Sequence, residues 1–140
     1  MASELRVNTL KDANGNNSVS TETAAKGSAK AWVNLDGSAT FDNADTEIRD
    51  SFNIDSTIDN GAGNYDATFT APMSSANYSV SGCLANQIPI SQYRGDWHQA
   101  VAESASQINL NNFRNGTGQV DAVHMYGQVF GDLAWVKQQN

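Results

Sequence analysis

The feature that most constrains this chain is a period-two alternation of apolar residues, broken every few residues by Asn, Asp and Gly. Ala31, Val33 and Leu35 share one face of a run that begins at Ala29. Ile48, Phe52 and Ile54 share a face of the next, followed by Tyr65, Ala67 and Phe69, then Tyr78 and Val80. Alternation of this kind places every second side chain on one side of a strand. Between the runs lie Asp36–Gly37, Asp42–Asp45, Asp59–Asn64 and Ala71–Asn77, each a turn signal. No stretch of ten or more residues has a 3.6-residue period, and only "HQAVAESA" can form a helical turn or two. The expectation is an all-β domain, an antiparallel β-sandwich head preceded by a short extended N-terminal arm.

One turn admits a second reading. "DNGAGNY", Asp59 to Tyr65, has the glycines of a phosphate loop, but such a loop needs a helix after it so that backbone N–H groups meet the anion. Here a strand precedes and another begins at Tyr65, so the stretch reads as a hairpin turn, where Asn and Gly accept positive φ. Two later strands, around Ser106–Phe113 and Val120–Gly131, are linked by the turn "RNGTG". The second is apolar on both faces, with Ala122, Tyr126 and Phe130 on one and Val123, Met125 and Val129 on the other. A strand covered on both sides belongs mid-sandwich or at a subunit interface.

The first 28 residues differ from the rest. Leu5, Val7 and Thr9 alternate, an Asn-Gly turn follows at Asn14–Gly15, and small polar residues run on as an extended linker to about Ser28. Such a segment cannot bury a core alone and is either disordered or held by another chain. Residues 1–28 are therefore read as an attachment arm and 29–140 as the head, one main globular unit for 140 residues.

Charge excludes some partners. Lys and Arg number 8 against 15 Asp and Glu, a net charge of −7, and the cations are scattered singly, which argues against nucleic acid. No apolar run approaches the roughly 20 residues of a membrane span, and the start lacks a signal-peptide block, so the chain is expected to be made in a cytoplasm and not inserted in a membrane. Cys83 is the single cysteine, which rules out an intrachain disulfide and multi-thiolate zinc; in "YSVSGC" it reads as a small buried apolar residue.

No motif for catalysis, cofactor or metal emerges. There is no G-x-S-x-G elbow, no H-E-x-x-H and no Walker-type loop. His124, between Val123 and Met125, reads as a core or interface histidine. The acidic residues Asp42, Asp45, Glu47 and Asp50 lack calcium-loop spacing and sit in hydrophilic surroundings that promise no raised carboxyl pKa, so they read as turn acidity. The N-x-[ST] matches at Asn16, Asn77 and Asn115 are expected by chance. "LANQIPISQYRGDWHQAVAES" reads as a long excursion between strands, of the kind that is functional or disordered. Within it Tyr93, Arg94, Trp97, His98 and Gln99 crowd together, and rings beside polar forks suit sugar or protein recognition. The opposing reading is that Trp97 plugs the end of the sandwich.

The segments "SELRVNTLKDANG" and "GSAKAWVNLDGSATFDNADTEIRDSFNIDSTIDNGAGNYDATFTAPMSSANYSVSGC" resemble the small tail-fibre proteins of tailed bacteriophages, especially those infecting cyanobacteria and marine bacteria. The matching features are L-x-V-x-T-L-x-D-x-x-G, K-A-W-V, R-D-S-F-N, a D-N-G turn and "ANYSVSG", over half to two-thirds of the chain; Leu84 to Glu103 does not match. The resemblance implies a non-enzymatic virion protein: a homotrimer, assembled in the host cytoplasm, with its arm on tail or baseplate proteins and its head against host glycan or protein. In that reading Leu5, Val7 and Leu10 serve tail attachment, and Tyr93, Arg94, Trp97, His98 and Gln99 serve the receptor. The alternatives are a monomeric carbohydrate-binding module, which needs no arm, and a glycan depolymerase, which needs two acidic residues and more chain.

Overall fold

A computed structural model describes residues 6–41, 46–84 and 97–134, the side chains at 83 and 84 excepted. The arm comes first. Strands β1 (Thr9–Lys11) and β2 (Ser18–Ser20) form an antiparallel hairpin, its turn gathered on Asp12, whose carboxylate accepts the N–H groups of Asn14 and Asn16. Helix α1 (Thr21–Gly27) follows at once, where an extended linker was expected. Its signals are local: Ser20 Oγ caps the Thr23 N–H, Glu22 stands in the first turn, and Lys26 pairs with Glu22 at 2.9 Å. Without an apolar face it has no periodicity to read, and none of its residues is buried.

The head is two antiparallel sheets packed face to face. One has the order β4 (Ile48–Phe52), β3 (Ala31–Leu35), β11 (Met125–Phe130), β7 (Ser79–Leu84). The other has the order β5 (Ile54–Asp59), β6 (Asn64–Phe69), β9 (Gln107–Arg114), β8 (Trp97–Ser104). The short β10 (Gly118–Gln119) extends the β6 side of β9, since Asn112 gives its N–H to Gly63 and takes the N–H of Val120 along one edge. The core lies between the sheets: Ala31, Val33 and Leu35 from β3, Tyr65, Ala67 and Phe69 from β6, Ile108 and Leu110 from β9, Met125 and Val129 from β11. The fold is all-β, as the alternation predicted.

Parity failed in one place. Phe52 is 54% exposed, while Ile48 and Ile54 pack against the core. The pairing of β3 with β4 skips a residue, matching Leu35 to Ile48 but Asn34 to Asp50, so Arg49 is the extra residue of a bulge. One extra residue reverses every side chain after it, and Phe52 comes out opposite Trp32 on the outer face. The chain then turns at Asn53, whose φ of 57° is left-handed. Its side chain holds this corner by donating to the carbonyls of Lys30 and Ala71 and accepting the Ala71 N–H at 2.7 Å. The corner carries the chain from one sheet to the other.

"DNGAGN" is the β5–β6 hairpin, with Gly61 and Gly63 both at positive φ and a strand on either side. The segment "HQAVAESA" is strand, not helix: β8 runs through it, paired along β9 from Trp97 opposite Phe113 to Ser104 opposite Gln107. Its small and apolar residues alternate inward as Ala100 and Ala102, and that pairing outweighs local helix preference. The excursion is correspondingly shorter at its C-terminal end. Strand β11 is also shorter than expected, and Ala122 precedes it, buried in the core.

Candidate functional site on the five-stranded sheet

Register along β9 sorts the recognition residues. Trp97 and Gln99 pair with Phe113 and Asn111 and share the outer face with them, whereas His98 pairs with Asn112 and turns inward. Tyr93 and Arg94 lie outside the described residues, as do Leu5, Asp42 and Asp45. Consecutive residues of one strand cannot serve one surface, so the proposed grouping of Trp97, His98 and Gln99 divides. Trp97 does not plug the sandwich: it is 56% exposed and stacks on Phe113 with ring centroids 5.2 Å apart and planes 17° apart.

Beside this ring pair runs a row of amides and carboxylates that sequence inspection missed. Asn109 Nδ2 donates to Asn64 Oδ1 and to Asp66 Oδ1, both at 2.7 Å. Asn60 Nδ2 donates to the other Asp66 oxygen, and Gln119 Nε2 to Asn111 Oδ1, again at 2.7 Å. Asn111 in turn donates to Asn109. Gln107 donates to Glu103 across the β8–β9 turn at 3.0 Å. Four strands and the β5–β6 turn therefore contribute to one connected polar face, with Asp66 and Asn111 nearly buried in its middle. The available signal was the outward parity of "NLNNF" and "NYD": alternate positions carry Asn or Asp where the opposite parity carries the core.

Burial raises the Glu103 pKa, with the nearby Asp66 carboxylate adding to the effect. A proton is therefore held more tightly there than on a free glutamate. Tyr78, which packs under the end of this sheet, lies 2.6 Å from the Gln107 carbonyl and 2.8 Å from that of Ser104; burial and then Glu103 push its pKa up to about 12. It is a neutral donor at any physiological pH.

His98 has a different part. Its side chain sits where β7 meets β8, against Gly82, and neither ring nitrogen has a hydrogen-bond partner among the described residues. Burial lowers its pKa from 6.5, an effect the Asn111 backbone partly opposes. Because the folded pKa is depressed, the unfolded chain takes the proton more readily, so stability is fully present above pH 6.5 and is lost as pH falls below it. The expected outcome is a urea midpoint that drops between pH 7.5 and 5.5 in the parent and drops measurably less in His98→Leu, which keeps the volume and removes the titration. Equal drops in the two proteins would show that His98 does not titrate on unfolding.

Other candidates are weaker. Glu47 is 1% exposed, contrary to the hydrophilic surroundings expected for it: Thr57 donates to its Oε1, while Oε2 has no partner among the described residues. A single buried carboxyl is not a hydrolytic pair. His124 is partly buried and lies parallel to the Tyr126 ring at 6.3 Å. The reading of Cys83 as buried falls on a side chain outside those described. A hollow of about 190 Å³ lined by Ser81, Gly82, Tyr126 and Gln128 is smaller than the usual ligand pocket of roughly 300 Å³ or more. Among the described residues no cluster of His, Cys, Asp or Glu is arranged to hold a metal ion, and no helix is long and apolar enough to cross a membrane.

No protein-family model matches the chain, and neither a curated protein nor a solved structure is significantly similar to it.

Proposed function

We propose that this chain is a tail-fibre-type virion protein: a homotrimer attached through residues 1–28 to tail or baseplate proteins, whose sandwich head meets a host-surface glycan or protein. The protein works by binding and scaffolding rather than by catalysis, and it assembles in the host cytoplasm before joining the virion tail. A place in a phage tail is what the resemblance of residues 3–15 and 27–83 to tail-fibre proteins implies. What supports assembly is apolar surface outside the core: Val7, Leu10 and Val19 on the arm are exposed, and Phe52 stands opposite Trp32 on the outer face of the four-stranded sheet. Tyr126 and Phe130 share that outer face. An apolar row on one face of a sheet offers a surface that another copy of the chain could cover.

A monomeric carbohydrate-binding module is the second reading, favoured by the exposed Trp97 beside the amide row. Light scattering coupled to size exclusion separates the two. The expected mass is three times 15.0 kDa. A mass of 15.0 kDa at micromolar concentration removes the trimer and leaves the module.

A further inference from the structure

The outer face of the five-stranded sheet has three properties that together select a ligand. First, the Trp97 indole is held flat against Phe113 yet remains more than half exposed, which makes it a preorganised platform for an apolar ring face. Second, polar groups lie next to it: Asn109 and Asn111 are fixed by hydrogen bonds to their neighbours, while the Gln99 side chain, exposed beside Trp97, has no hydrogen-bond partner within the described residues. Third, the charged side chains at the outward positions of β6, β8 and β9 are the carboxylates of Asp66 and Glu103, with no Lys or Arg among them.

A platform in line with amides, and farther along the strands with carboxylates, suits hydroxyl groups, which both donate and accept, above an apolar ring face. Carboxylates in a partly desolvated row repel phosphate, sulfate or uronate, so an anionic glycan is disfavoured. Outward residues of β8 recur about every 7 Å along the strand, parallel to the row on β9, so the contacts form a line. A line fits a chain of sugars better than a single one.

We propose that this face binds a neutral polysaccharide lying along β8 and β9, with a sugar ring stacked on Trp97 and hydroxyls bonded to Gln99 and the Asn109–Asn111 row. The inference deepens the adhesion reading and rests on it, naming the ligand class of the same head.

The test is affinity electrophoresis of the full chain through gels containing dextran, mannan, laminarin or xylan, with alginate as the anionic probe. Retardation is expected with at least one of the four neutral polymers and not with alginate. Trp97→Ala should then weaken binding at least tenfold and Gln99→Ala severalfold, each with an unchanged melting temperature. Migration unaffected by all four neutral polymers overturns the proposal, as does equal retardation by alginate. Parent-like binding by either variant overturns the assigned contacts, and Gln99→Ala decides the matter if Trp97→Ala does not fold. The mass measurement separates this from the fibre reading: a trimer without retardation sinks the glycan site alone, and a retarded monomer sinks the fibre alone.

Discussion

Leu110→Ala is expected to lower the free energy of unfolding by about 4 kcal/mol, toward the upper end for a buried leucine. The reason is what faces it. Leu110 is fully buried on β9, and across the sandwich its Cδ2 would lie 3.2 Å from a Cβ placed on Gly127 of β11. A glycine has nothing to move into the void, so the cavity stays open. The same geometry gives a sign reversal. In the parent, Gly127→Ala crowds Ile108 and Leu110 at 3.2 Å and Val33 at 3.5 Å, and is expected to cost about 1 kcal/mol. In the Leu110→Ala background the added methyl fills part of the void, and is expected to return about 1 kcal/mol. Chemical denaturation of the four proteins of this cycle reads the coupling directly. Additive effects would mean that β9 and β11 do not meet at these two positions.

Gly63→Ala comes next in size, with an expected loss of about 3 kcal/mol. Gly63 has φ of 66°, and a Cβ there would lie 2.5 Å from the Val120 carbonyl oxygen and 2.6 Å from that of Asn112. Those are backbone atoms of β9 and of the segment after β10, so they cannot rotate aside. The Gly63 N–H also donates to Asp121 Oδ1 at 2.8 Å, and Tyr65 donates its hydroxyl to the same carboxylate oxygen at 2.6 Å. Displacing Gly63 therefore disturbs the hydrogen bonds of a buried tyrosine as well as the turn. Gly116 is the control: it also has positive φ, at 80°, but nothing lies within 4 Å of its would-be Cβ. Gly116→Ala should cost only the left-handed backbone, about 1 kcal/mol. Similar losses for the two would show that backbone conformation, not the close approach, sets the requirement at Gly63.

These two sites mark the boundary of what could be read in advance. That "DNGAGN" turns a hairpin was legible because Asn and Gly relax the backbone locally. That Gly63 alone is pressed against β9 and Val120 was not, because its neighbours are some fifty residues away in sequence. Likewise Ala31, Val33, Leu35, Tyr65, Ala67 and Phe69 announced their faces by alternation, and all six are buried. Phe52 broke the rule because a bulge at Arg49 is set by pairing with β3, which no local pattern records.

The candidate site divides in the same way. Trp97 and Gln99 stood out by residue type, and the strand placed them on the outer face. His98 stood out equally and was turned inward by a single step of register. Asn109, Asn111, Asp66 and Phe113 carried no motif, since an isolated asparagine in a polar sequence is ordinary. They became a row when β6, β8 and β9 were laid side by side.

The sequence by itself determined an all-β chain, its turns, most of its core and the change of character after residue 28. Those follow from periodicity and backbone preference, which act over a few residues. Only the tertiary structure decided which sheet each strand joins, which face Phe52 and His98 take, and which polar side chains meet. Hydrogen-bonded register between distant strands governs all three, and one residue of slip exchanges inside for outside.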